Sequence, residues 1–289
     1  MNKKLTKLSL AAILSATLVM PSSIYAASSK SKTIIETKMQ DESESNTGAA
    51  LVDPNYTQNE EYYKSLEEER DKQIEKEEQV FQRKQAAAGM LAATNEYYTI
   101  SVTYNKQQYW NFCGVAAGRQ ALSFHKSKSR SSERLPSQEH FGRSIGTLPE
   151  VGGTKSTFLA KGLNQYKYVY KFSGNPYIVG NIRQFAKPAV ALEKRVKSTL
   201  RNKKTAPILL ARTDFLDEYK GRKFRHYVTV SGYDKNADKF RLVDSNHYTQ
   251  YTHGGTYWSR LRTTTSGKGI AKAVYVAEGK KGKNPVMVW

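Results

Sequence analysis

The 289-residue sequence contains one cysteine, Cys113, in the stretch QYWNFCGVAAGRQALSFH. A lone cysteine has no internal disulfide partner, so its thiol is inert in the core, bridged to another chain, or reactive. The residues after it (Ala116, Ala117, Ala121, Leu122, Phe124) have helical spacing, which puts Cys113 at a helix start. Free N–H groups and a partial positive charge there favour negative charge on the sulfur. A reactive thiol also needs a proton partner, and histidine suits that role.

Five histidines are available. His125 sits on the cysteine's own helix, about 18 Å along its axis, out of reach. His140 lies in a basic loop region. His247 and His253 fall in SNHYTQYTHGG, spaced as a metal pair but without a third ligand, so neither metal nor cofactor is expected. His226 opens the strand-like HYVTVSGYD, and Asp244 ends the next strand-like run, KFRLVDS. In an antiparallel hairpin turning through residues 233–239, those two ends lie on the same side. A carboxylate beside an imidazole fixes its tautomer and orientation. Asp244 could instead cap a turn, leaving Asn246 as the orienting amide. Gln107, six residues before Cys113, offers an amide donor for an oxyanion, and Gln108 would take over in a shifted loop.

Around these residues the pattern is helices first, then strands. GGTKSTFLAKGLNQY reads as a turn and a helix, and AVALEKRVKSTLRNKK as another helix. YYTISVTY, APILLAR (206–212), HYVTVSGYD (226–234), KFRLVDS (239–245) and KAVYVAE (272–278) read as strands. The fold class is therefore α+β: a helix carrying the cysteine, packed on an antiparallel sheet carrying the histidine and aspartate.

The chain divides by composition. Residues 1–26, with a basic start, a 13-residue apolar run and an ending at Ala26, read as a secretory signal peptide. Residues 27–56 are polar and read as a disordered linker. Residues 57–96 read as an acidic, exposed helix, either a pro-segment or a spacer. Residues 97–289 form the globular domain. Residues 27–96 carry a net charge of −6 and residues 97–289 a net charge of +23. Such a basic domain attracts an anionic cell wall or membrane surface, and the acidic segment is its natural intramolecular partner. With secretion expected, no nucleic acid partner is.

The motifs YNKQQYWNFCGVAAGRQAL, GGTKSTFLAKGLN, PILLARTDF, HYVTVSGYDKNADKFRLVDSN and GGTYW together resemble the secreted relatives of the double-glycine leader peptidases, in the papain-like cysteine peptidase superfamily. The resemblance spans about residues 100–260. It implies a papain-like fold and hydrolysis of a peptide or protein substrate. It makes Cys113 the nucleophile, His226 the general base and acid, Asp244 the orienting group and Gln107 the oxyanion-hole amide. Phe112, Val115 and Ser245 depart from the leader-processing pattern, which argues against strict double-glycine cleavage. The same triad would serve a cell-wall amide hydrolase or a transglutaminase-like acyl transferase. A non-catalytic basic surface-binding protein on this scaffold is the remaining alternative.

Overall fold

The computed structural model describes residues 48–50, 52–88, 96–246, 254–263, 267–277 and 284–289. Residues 1–26, His247 and His253 lie outside the described residues. Among those described, no helix is long and apolar enough to cross a membrane.

Seven helices and seven strands appear among the described residues, in the order α1 (Pro54–Gln58), α2 (Glu60–Ala87), β1 (Tyr97–Thr99), α3 (Cys113–Ser129), α4 (Gln138–Ser144), α5 (Ser156–Gln165), β2 (Val179–Gly180), α6 (Pro188–Arg201), β3 (Ile208–Arg212), β4 (Arg225–Asp234), β5 (Lys239–Asp244), β6 (Gly255–Arg260), α7 (Ile270–Ala277) and β7 (Met287–Val288). The sheet runs β2-β7-β3-β4-β5-β6, with β1 on β4 beyond the end of β3. Every pairing in it is antiparallel. The α+β expectation holds, and so does the β4–β5 hairpin.

The hairpin is the element that positions chemistry. Thr229 pairs with Val243, so continuing the register sets Val228 across from Asp244. His226 is two residues further along β4 and therefore on the same face, a diagonal neighbour of Asp244. Helix α3 lies on β4, where Thr229 Oγ1 donates to the Ala117 carbonyl at 3.2 Å. Close approach on its other side depends on Gly118, where a methyl group would stand 2.3 Å from the Phe141 ring.

Three expectations need correction, a strand, the linker and the exposed helix, and one strand of the sheet carried no signal. Residues 272–278 were expected as a strand but lie mostly in α7. Both edges of β3 are already taken, by β4 and β7, and the buried set Ile270, Ala273, Val274 and Ala277 has helical spacing. Strand β6 pairs along the whole of β5, although its mixed sequence GTYWSR gave no strand signal. Within the expected disordered linker, residues 48–50 and 52–56 have fixed partners. Ala49 bridges Thr154, and Asp53 caps α1 while accepting from the Thr157 N–H (2.9 Å) and hydroxyl.

Helix α2 is not exposed all round either. Its acidic residues face α6: Glu75 with Lys194 (3.0 Å), Glu78 with Arg201 (2.7 Å), and Glu77 with Lys204. At the centre Arg195 is buried. It donates to Glu67 (2.7 Å), to Asp71 and to the Asn181 carbonyl (2.7 Å), and its guanidinium lies 4.6 Å from the Trp289 ring. Removing one partner of such a buried set leaves a charge without its counter-ion. Glu67→Ala should lower unfolding stability by about 3 kcal/mol and speed amide exchange across α2. Denaturant unfolding with hydrogen exchange checks both, and a surface-like change within about 0.5 kcal/mol would contradict it.

Candidate active site

Cys113 is the first residue of α3, and that first turn contains no acidic side chain to oppose negative charge on the sulfur. The thiol is free but only 1% exposed, because Gly48 lies over it. His226 and Asp244 are buried with it. His226 Nε2 meets Asp244 Oδ1 at 2.7 Å. That leaves Nδ1 for the side of the ring toward Cys113, which is one of the groups that raise this imidazole.

Burying a carboxylate is costly unless its lone pairs are used. Asp244 uses them. Oδ1 also accepts from the Asn246 N–H (2.9 Å), and Oδ2 accepts from the hydroxyls of Tyr219 (2.6 Å) and Tyr257 (2.7 Å). Burial alone would raise the Asp244 carboxyl, but the His226 charge and these hydrogen bonds outweigh it and hold it below its usual range. For His226, burial acts downward, and it is overcome by the charge and hydrogen bond of Asp244 and then by Cys113. The imidazole is pushed up to about 10. Tyr219 and Phe224 box the ring at 5.9 and 6.0 Å.

Gln107 is fully buried beside this group, but its amide is engaged elsewhere. Both N–H bonds go to carbonyls, of Tyr109 and Trp110 at 3.0 Å each, and its oxygen accepts from Ser245 at 3.2 Å. It ties the strand end after Asp244 to the loop before Cys113. Gln108 donates from its backbone N–H to the Gln138 side chain at 3.0 Å. Asn246 donates from its backbone N–H to Asp244, and its side-chain amide donates to the Tyr219 hydroxyl at 3.5 Å. His125 bonds the Tyr177 hydroxyl at 2.9 Å, and burial pushes it down to about 3, so it is a neutral core residue. His140 lies on the surface in α4. Among the described residues no group of three or more His, Cys, Asp or Glu is placed to hold a metal.

Tyr219 and Tyr257 were not singled out from the sequence. Tyr257 lies in the GGTYW motif, which carried the resemblance without a role for this side chain. Tyr219 precedes a tight turn and carries no local signature.

The family described as Peptidase_C39 like family matches residues 99–266, more than half of the chain, and the chain belongs to that family. It is a cysteine peptidase, as the resemblance implied. No curated protein matches the sequence. Among solved structures it is similar to xylellain, a cysteine protease from Xylella fastidiosa, at 14% identity over 69% of this chain and 87% of that one, with a TM-score of 0.43.

The raised imidazole gives a direct test. A histidine whose folded pKa lies above its unfolded value contributes stability that is complete below about 6.5 and is lost as pH rises through about 10. His226 should therefore stay protonated from pH 6 to 8, read by its ring nitrogen shifts in NMR. Asp244→Asn should bring its titration back into that window. A wild-type ring titrating near 6.5 would contradict the assignment.

Proposed function

We propose that this chain is a secreted cysteine peptidase that cleaves peptide bonds through Cys113, His226 and Asp244, by way of an acyl-enzyme. The observation that carries this reading is one buried imidazole held by the buried carboxylate of Asp244, in a site that also buries Cys113 at the start of α3. The Cys113 sulfur adds to the carbonyl carbon of the scissile amide. The C–N bond then breaks as the departing amine takes the proton from His226. Water next gives a proton to His226 and its oxygen to the acyl carbon, the C–S bond breaks, and the acid leaves. Asp244 accepts charge from the imidazolium throughout and keeps its ring fixed.

Gln107 is the side-chain candidate for the oxyanion. It would donate by releasing one of the two carbonyls it now holds. The Cys113 N–H, in the first turn of α3, needs no such exchange. Secretion follows from the basic start and apolar run of residues 1–26, and the basic domain would then meet an anionic wall or membrane surface. Residues 57–96 act as an intramolecular pro-segment, supported by the acidic face of α2 on α6.

The test is hydrolysis of a mixed peptide library and of purified cell wall by the secreted protein. Peptide cleavage abolished by Cys113→Ala is expected. Wall solubilisation without peptide cleavage would replace the peptidase reading with amide hydrolysis, and no turnover of either would favour the binding-protein alternative. Gln107→Ala should lower kcat about 10²-fold with little change in KM if its amide reaches the oxyanion. A loss confined to stability would leave Gln107 as the tie between the two loops.

A further inference from the structure

Helix α2 sets carboxylates against the basic residues of α6, but at Arg70 it brings a cation to lysines. Arg70 lines a cavity of about 540 Å³ together with Lys128 in the last turn of α3, Lys171 in the loop after α5, and Lys203 and Lys204 just past α6. No Asp or Glu lines it among the described residues. Like charges gathered around one cavity repel one another, and an anion among them reverses the sign of that energy. The cavity lies at the opposite end of α3 from Cys113.

Two of the five cations have work inside the fold. Lys128 Nζ donates to the Lys203 carbonyl at 2.6 Å, and Lys204 pairs with Glu77. The other three are not explained in this way. Arg70 uses Nη2 on the Pro176 carbonyl at 3.0 Å, while Nη1 is buried with no acceptor among the described residues. Burial pushes this guanidinium down, against the pull of Glu77, Glu69 and Asp71. Of those carboxylates, Glu77 is engaged by Lys204 and by the Asn202 amide (2.6 Å), and Asp71 by Arg195. Lys171 and Lys203 are exposed, and both have left-handed backbone, with φ of 52° and 49°. Glycine takes that conformation without strain, so two strained positions on one cavity each bring an ammonium group to it. The rest of the wall suits a hydroxylated molecule. Ser129, Ser173 and Asn175 offer polar groups, and the Phe172 ring lies against His125 with centroids 4.1 Å apart.

We propose that this cavity binds a phosphate ester, with Arg70, Lys171 and Lys203 on the phosphate and the polar wall on its polyol or sugar. A guanidinium with an unused nitrogen and two ammonium groups match the several charged oxygens of a phosphate. Arg70 belongs to α2 and the lysines to the domain beneath it, so the bound ester ties the helix down. The site is separate from the triad, and its occupation does not depend on peptide cleavage.

Isothermal titration of the full chain with sn-glycerol 3-phosphate, and separately with a soluble glycerol-phosphate polymer, measures this directly. Lys171→Gln and Lys203→Gln should each weaken binding about tenfold, and Arg70→Gln at least as much. Lys161→Gln removes the same charge from an exposed lysine outside the cavity and should change affinity by no more than about twofold. Saturating ester should slow amide exchange across α2 in the wild type but not in Lys203→Gln, an exposed substitution that leaves α2 itself unaltered. Binding of the small ester with this variant pattern upholds the site with a soluble ligand. Binding of the polymer alone with the same pattern upholds it with the phosphates of an anionic surface polymer. No binding of either probe, or equal losses from Lys161→Gln and Lys203→Gln, would overturn the proposal, because the lysines would then be only part of the domain's general positive field. Binding without any change in α2 exchange would overturn the tie between helix and domain.

Discussion

The Asp244 carboxylate is the constraint on which the site depends. It is wholly buried, and a charge placed there without partners would either neutralise or unfold its surroundings. Four donors meet it: the His226 imidazole, the Asn246 N–H and the Tyr219 and Tyr257 hydroxyls. They come from β4, from two residues past β5, from the turn before β4, and from β6. The central sheet and its flanking turn are thus organised around one negative charge. That charge in turn keeps an equally buried imidazole protonated next to the thiol.

The same logic explains why the helix and the hairpin must be pressed together. Helix α3, which carries Cys113, lies on β4, where the Ala117 carbonyl meets Thr229, while Gly114 and Gly118 let Thr154 and Phe141 close in on its other sides. Gly114 admits Thr154 against the start of α3. The acidic N-terminal segment uses the opposite strategy. It is held on the domain by ion pairs, with one buried cluster at Arg195, and Ala49 bridges Thr154.

Much of this was legible in the sequence. HYVTVSGYDKNADKFRLVDS alternates cleanly around a polar turn, so the hairpin and the juxtaposition of His226 and Asp244 followed from the period of a strand alone. Cys113 at a helix start followed from the small and apolar residues after it. What stayed hidden depends on distant pairing. Tyr219 and Tyr257 are two of 19 tyrosines, and nothing local marks which ones turn inward to a carboxylate. The sequence KAVYVAE alternates like a strand, but both edges of β3 are taken by β4 and β7, and residues 272–277 lie in helix α7. Gly48–Ala50 sits in a polar, small-residue stretch whose partners, Thr154 and Asn284, lie a hundred residues or more away.

The central claim is that Asp244 acts through His226 and has no separate effect on the reaction. A double-mutant cycle on peptide hydrolysis measures this directly, comparing kcat/KM for His226→Ala, for Asp244→Asn and for the pair. Groups that work as one unit are strongly non-additive, so the double variant should be no slower than His226→Ala alone. Losses that multiply would contradict the account, because Asp244 would then be affecting the rate by a route that does not pass through the imidazole.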